Sequence, residues 1–277
     1  MMLGRGLWAV ALTVLSAAPT SAANNLPSHE AVYEILLVQA SSAGGPRAAV
    51  GTMESRFTET CDGWETKTHA TMNVHFANDT HYQNERFFQS MEAKNGRNYT
   101  FAVQTVKNGM IEENFKGRAN MGRRGGEARY ELHPVYGEED AAIRMVTVQL
   151  PEGTLFPAAR TLALLTSAER GSTLHNTVLL DGSSSVGPRR MSVAIGARST
   201  AVPPVAANID ASLLSQPSWS ISTAMFNLFE RGDTPTSEVF QQYYGSGISE
   251  SFEQTFSDFR LAAHLTHLKR LDPPKCK

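Results

Sequence analysis

The sequence predicts one mainly β domain, built from sequential antiparallel strands with a single helix packed on it. Short strand-like segments follow one another from residue 31 onward, and turns that contain Asn or Gly separate them. One window between them has the periodicity of an amphipathic helix. Connections of a few residues join antiparallel neighbours, whereas parallel strands need longer crossovers.

The first half of the chain carries the strand pattern most clearly. Residues 31–38 are apolar on both faces, and Met53 and Phe57 alternate with polar residues as in a half-buried strand. Asn108-Gly109, which lies between two apolar runs, is the strongest hairpin signal. Further strands are predicted at 65–76, 80–93, 98–107, 110–116, 128–133 and 142–150.

One helix is predicted at about 156–170. Pro157 occupies a first-turn position, where its missing N–H removes no helical hydrogen bond. Arg170-Gly171 supplies a cation in the last turn and a glycine stop. Four apolar residues recur at helical spacing on one face: Leu155, Ala158, Leu162 and Leu165.

The second half is expected to return to strands after this helix. One part of it is ambiguous, because SDFRLAAHLTHLKRL (257–271) fits a strand by its context and a helix by its Ala and Leu content. The expected strands are 177–180, 190–195, 219–229, 238–244 and 252–268.

The N-terminus has the three regions of a secretory signal. Arg5 precedes a short apolar run, Pro19 breaks that run, and small residues follow. Cleavage after Ala22 or Ala23 would release an exported, soluble protein. The expected organisation is therefore a signal peptide at 1–22 and a single domain at 23–277. The apolar run is too short for a comfortable membrane span of about 20 residues.

The chain has two cysteines, Cys61 and Cys276. Two cysteines in an oxidising compartment usually pair, so a structural disulfide is favoured, and a reactive free thiol is the alternative. Such a bond would close a loop of 214 residues, for which the chain-entropy model gives roughly 5 kcal/mol as an upper guide.

Composition and motifs argue against several function classes. Without Arg5 the chain has 24 basic and 27 acidic residues, and this slight acidic excess argues against a nucleic-acid-binding protein. The run after Gly182 misses the G-x-S-x-G spacing of a serine nucleophile. His69, His75 and His81 are six residues apart, but the Asn78-Asp79 turn interrupts that register and favours surface histidines over a metal site. No catalytic residue, cofactor or metal is predicted.

A basic, Gly-rich stretch at 116–129 leaves two interpretations open. It is either an ordinary solvated loop or a contact for anionic envelope material. The sequence favours the first.

Several segments together resemble the alphaproteobacterial periplasmic cell envelope integrity family (EipB). They are Cys61-Asp62-Gly63-Trp64, LPEGTLFPAARTLALL (150–165), LLDGSS (179–184) leading to Ile195-Gly196, Trp219, SDFRLAAHLTHLKRL (257–271) and Cys276. The chain departs from the family pattern at Arg160, where a histidine is expected, and at 256–259, where a Tyr-Gly-Asp-Phe-like run is expected.

The resemblance implies an antiparallel β-spiral, an incomplete barrel of two curved packed sheets with one helix, similar to the periplasmic lipoprotein-carrier fold. It also implies a Cys61–Cys276 disulfide, which would tie the last strand to an early one and close a free edge. The concave face of such a sheet is a common ligand site.

These observations predict a non-enzymatic periplasmic protein that supports cell envelope integrity as a scaffold or binding protein. Its partner would be an unknown envelope component: a periplasmic protein, a lipid or an acylated protein. The alternative is a carrier of lipid or acylated protein in the concave face. A secreted hydrolase is the weakest reading, because the sequence offers no nucleophile, base and oxyanion donors.

Overall fold

Fourteen antiparallel strands form one continuous sheet in a computed structural model, which describes residues 26–40, 45–138, 140–201, 203–215, 217–229 and 232–276. The predicted signal peptide at 1–22 lies outside the described residues. The strands are β1 (His29–Ala40), β2 (Pro46–Glu59), β3 (Gly63–Phe76), β4 (His81–Ala93), β5 (Asn98–Lys107), β6 (Met110–Gly122), β7 (Gly125–Leu132), β8 (Arg144–Leu150), β9 (Leu174–Leu179), β10 (Arg189–Ser199), β11 (Ser218–Asn227), β12 (Ser237–Tyr244), β13 (Ser249–Thr255) and β14 (Phe259–Arg270).

The sheet consists of two runs of sequential hairpins. Strands β1 to β8 pair in order, strands β9 to β14 pair in order, and β1 pairs with β14 to join the two runs. The predicted antiparallel β-spiral with one helix is confirmed. The two sheets implied by the resemblance are continuous through the β1–β14 pair, and the two edges are β8 and β9.

Helix α1 (Pro157–Glu169) lies in the connection between these two edge strands. Just before it, Leu155 pairs with Leu179 of β9 in a parallel bridge, so the chain leaving β8 covers the free side of β9. The first turn of α1 has no side-chain cap from its own N-cap residue, Phe156. Glu92 of β4 supplies the acceptors instead.

Three apolar clusters hold the sheet and helix together. The first joins α1 to β9–β12 and includes Leu164, Leu165, Val193 and Trp219. The second covers β5–β8 and includes a group of contacting rings: Tyr99, Phe101, Phe115, Tyr130 and Phe156. The third lies where β1 meets β14 and takes in residues of a short 3-10 helix, Ala211–Leu213, and Leu214.

The ambiguous segment near the C-terminus is a strand. The predicted single strand at 252–268 is divided by a turn, in which the N–H of Phe256 donates to the carbonyl of Phe259 at 2.8 Å. Strand β14 lies between β1 and β13, so backbone hydrogen bonds on both sides outweigh the helix propensity of its Ala and Leu residues.

The interpretation of 116–129 as a loop is wrong. Strand β6 runs on to Gly122 and β7 begins at Gly125, so the basic stretch is a hairpin with Arg123 and Arg124 in its turn. Cross-strand charge pairing supports it, since Lys116 lies 2.8 Å from Glu131. The cluster of basic residues suggested a loop because the pairing of Lys116 with Glu131 depends on the register between two strands.

Candidate functional site

A disulfide joins Cys61 to Cys276, with their Cα atoms 5.5 Å apart. Cys61 lies in the turn between β2 and β3, where the N–H of Thr60 donates to the carbonyl of Gly63 at 2.8 Å. Cys276 follows the end of β14. Trp64, at the start of β3, packs against the cluster around α1. The bond therefore anchors the tail after β14 to a turn next to Trp64, which packs against the cluster around α1.

The expectation that this bond closes a free edge is wrong. The edges of the sheet are β8 and β9, whereas the bonded residues flank β2, β3 and β14 near its middle. The pairing of β1 with β14 already brings the two ends of the chain together. The bond constrains that junction.

A second feature is an open groove of about 920 Å³ on one face of the sheet. Seven neighbouring strands line it, from β14 through β1 to β6, together with His133 after β7. Alternate lining residues, such as Glu54 and Arg56 or Lys67 and His69, share one face of the sheet, and the groove lies on that face. We refer to it as the sheet groove.

Cross-strand register fixes which side chains share this groove. One row of directly paired residues crosses all seven strands, and side chains paired in this way lie on the same face. A strand spacing of about 4.8 Å makes the row roughly 29 Å long. The row consists of His267, Val32, Glu54, His69, Phe87, Gln104 and Asn114.

Phe87 presents the principal apolar surface of this row. Its ring stacks on the imidazole of His69, with centroids 4.5 Å apart and planes inclined by 5°. Phe87 is nevertheless 41% exposed, so one ring face is held while much of the side chain stays open to solvent. The side-chain amides of Gln104 and Asn114 follow it on the next two strands.

The charges beside this row are neutralised in pairs. Arg56 Nη1 lies 2.6 Å from Glu30 Oε1, and Lys67 Nζ lies 2.8 Å from Glu65 Oε1. Lys116 pairs with Glu131 and lowers the pKa of that carboxyl through a hydrogen bond. The groove thus contains cations but presents little unopposed positive charge.

The histidines named from the sequence occupy separate surroundings. His69 lies in the sheet groove, while His75 and His81 pair across the β3–β4 hairpin with ring centroids 5.8 Å apart. Within the described ranges, no group of three or more His, Cys, Asp or Glu side chains could hold a metal ion. In the same part of the chain, no helix is long and apolar enough to cross a membrane.

Arg160, the departure from the expected family pattern, is buried in α1 and only 9% exposed. Burial lowers the pKa of its guanidinium, and the nearby Tyr243 hydroxyl opposes that shift. Its Nε finds no hydrogen-bond partner in the described part of the chain. The same residue depresses the pKa of His175, after the larger effect of burial.

Comparison with known proteins assigns this chain to a family. Residues 20–272 match the family model described as EipB-like, which is most of the chain. The chain belongs to the EipB-like family. This EipB-like chain is 22% identical over 263 residues to the cell envelope integrity protein EipB of Brucella abortus (strain 2308), covering 94% of this chain and 90% of that protein.

A solved structure is similar to the EipB-like chain across almost its whole length. It is the crystal structure of a β-barrel-like protein of a domain of unknown function from Brucella abortus, with a TM-score of 0.78 and 20% identity. The match covers 89% of this chain and 99% of the other. At this identity the likeness supports the fold, in agreement with the predicted family resemblance.

Sequence reasoning expected a ligand site on the concave face of a curved sheet, but it did not identify the residues that line the sheet groove. Most of its residues are ordinary polar positions on separate strands, and each alternates with a residue of the opposite face. The one available signal was the even spacing of residues within each strand, such as Lys67 and His69 or Phe87 and Gln89. Which strands would curve together was not readable from that spacing.

Proposed function

We propose that this chain is a non-enzymatic periplasmic protein that supports the integrity of the cell envelope by binding an envelope component. The observation that carries the proposal is the family match over residues 20–272. The relative from Brucella abortus, which aligns with 94% of this chain, is named a cell envelope integrity protein.

Two features of the chain support export. The N-terminal sequence has the order of a secretory signal, and its two cysteines form a disulfide, which is typical of oxidising compartments. We infer that the signal ends at residue 22 and that 23–277 is one domain. Mass measurement of the protein recovered from the periplasm tests the cleavage, and protection of 26–276 as one unit in limited proteolysis tests the domain.

Deletion of the gene in its own bacterium is the test of the envelope role. We expect greater sensitivity to detergents and to antibiotics that act on the cell wall, and recovery when the wild-type gene is returned. A copy that lacks the codons for residues 1–22 is the matched control, because it tests whether export is required. Unchanged sensitivity in the deletion strain would remove the main support.

The sheet groove supports binding as the mode of action. It is open, it is formed by rigid strands, and it is large enough for a small molecule or part of a polymer. The balance of acidic and basic residues gives no support to a nucleic-acid ligand. The identity of the bound envelope component, whether protein, lipid or acylated protein, is addressed by capture of partners from the periplasm.

A carrier of lipid or acylated protein is the second candidate, and a smaller cavity favours it. This cavity of about 260 Å³ has a mainly apolar lining that includes Pro46, Ala49, Met72, Val74, Phe76 and Leu261. Asp258 also lines this cavity but is exposed, so an acyl chain could occupy the apolar part without burying that carboxylate. Native mass spectrometry of protein purified from its own periplasm tests this role. Bound acyl species would support it, and their absence would count against it.

A further inference from the structure

We propose that the sheet groove binds a neutral, hydroxyl-rich chain, that is, a glycan. The proposal rests on the proposed function, because it takes the ligand of the groove from the cell envelope, and it adds a glycan to the protein, lipid and acylated protein considered above. It is carried by the row of side chains that crosses the seven strands.

The planar polar side chains of the groove match the hydrogen-bonding needs of sugars. An amide has both donors and acceptors in one plane, so it can bond to hydroxyl groups on adjacent carbons. Gln104 and Asn114 are direct cross-strand neighbours, and Gln89 lies one row away. None of these three amides is engaged by another side chain in the ranges that the structure describes.

Phe87 completes this arrangement with an exposed aromatic surface. An aromatic ring offers an apolar face to the C–H groups of a sugar ring, while neighbouring polar groups bond its hydroxyls. The stack on His69 fixes the orientation of the Phe87 ring before a ligand arrives. A preoriented ring loses little conformational entropy on binding.

The surroundings of the row disfavour other ligand classes. An acyl chain in this groove would cover the three amides, Glu54 and several histidines without giving them hydrogen-bond partners, which is unfavourable. An anionic head group would meet Arg56, Lys67 and Lys116, but each already has a carboxylate partner. A neutral polar chain requires none of these ion pairs to break.

The length of the groove indicates a chain rather than a single sugar. The row of side chains that lines it crosses seven strands and is roughly 29 Å long. Contacts repeated along a polymer would each be weak and would add up through their number.

Titration calorimetry of the mature protein with tetra-N-acetylchitotetraose and with maltohexaose tests the proposal. Palmitate and inorganic phosphate serve as the apolar and anionic comparisons. We expect binding of at least one oligosaccharide, and at least a tenfold loss of affinity in Phe87→Ala and in the double variant Gln104→Ala, Asn114→Ala. Phe240→Ala is the matched control, because this phenylalanine is 56% exposed on β12 and does not line the groove.

Each outcome decides for or against the proposal. No binding of either oligosaccharide, or equal binding by wild type and Phe87→Ala, overturns it. Binding of palmitate or phosphate in the groove without oligosaccharide also overturns it. Thermal unfolding of Phe87→Ala near the wild-type temperature shows that a lost signal is not lost folding.

Complementation of the deletion strain separates this inference from the proposed function. If the wild-type gene restores resistance while the protein binds no oligosaccharide, the envelope role stands and the glycan proposal fails. If the gene has no effect on resistance although the protein binds oligosaccharide through Phe87, the envelope role fails and the glycan site stands.

Discussion

The carboxylate of Glu92 on β4 accepts a hydrogen bond from the backbone N–H of Ala158 in the first turn of α1 at 2.6 Å. Its second oxygen accepts from Ala159 at 2.8 Å. One buried side chain thus supplies two acceptors that the helix lacks at its N-terminus, and it attaches α1 to the strand that carries Phe87. Burial raises the pKa of Glu92 to about 7, and the two backbone hydrogen bonds oppose that rise.

The raised pKa predicts a pH dependence of stability. Between about pH 4.5 and pH 7, the folded protein holds a proton on Glu92, whereas the unfolded chain, in which the pKa is 4.5, has released it. Stabilisation from this group is therefore complete below about pH 4.5 and is lost as the pH rises through 7. The shift corresponds to at most about 3 kcal/mol of unfolding free energy.

Urea unfolding at pH 5 and pH 8 measures this effect. We expect the free energy of unfolding to differ less between the two pH values in Glu92→Gln than in the wild type, because the amide does not titrate. Glu34→Gln is the control, since Glu34 is exposed on β1. If Glu92→Gln left the pH dependence of the free energy of unfolding unchanged, another titrating group would be its cause.

Loss of the disulfide is expected to lower the free energy of unfolding. Cys61→Ser frees the 214 residues between the two cysteines in the unfolded chain, and the upper guide is roughly 5 kcal/mol. Thermal unfolding with and without reductant measures it. The double variant Cys61→Ser, Cys276→Ser should unfold at the same temperature as the single variant, and reductant should not change that temperature. Mass mapping that found both thiols free in the wild type would refute the pairing.

Gly182 is expected to be intolerant of a side chain. It has a φ of 68°, and a Cβ there would lie 2.5 Å from Cγ of Phe101, a residue of the cluster that covers β5–β8. Gly171 has a similar φ of 75° with open space around it. We expect Gly171→Ala to cost about 1 kcal/mol from backbone strain alone, and Gly182→Ala to cost about 1–3 kcal/mol more from overpacking.

Denaturant unfolding of both variants separates these two effects. Equal destabilisation would mean that the ring of Phe101 moves aside freely and that the contact between the loop after β9 and strand β5 is loose.

Arg160 is expected to contribute little to stability in spite of its burial. Its charge is desolvated and its Nε lacks a partner in the described part of the chain, so an apolar side chain of similar length removes an unfavourable group. We expect Arg160→Met to change the free energy of unfolding by 0 to about 2 kcal/mol in the stabilising direction. Arg47→Met, at an exposed position of β2, is the control.

Urea unfolding at pH 7 decides this prediction. A loss of more than about 1 kcal/mol in Arg160→Met would show that the guanidinium makes hydrogen bonds that outweigh its desolvation.

Local patterns in the sequence determined the order of hairpins and the position of the helix. Asn108-Gly109 forms the predicted turn between β5 and β6, and the helix predicted at about 156–170 spans Pro157–Glu169. These features depend on backbone preferences and alternation within a few residues, so they can be read without knowing the rest of the fold. The segments of the EipB resemblance likewise identified the family.

Only the tertiary structure decided how these pieces meet. The pairing of β1 with β14 places the two edges of the sheet at β8 and β9, and the same pairing puts His267 in one row with Phe87. Glu92 reaches α1 across 66 residues of sequence. Such contacts depend on the curvature accumulated over many strands, which a property of neighbouring residues does not encode. The alternation within each strand was local, whereas the groove arose from the register between strands.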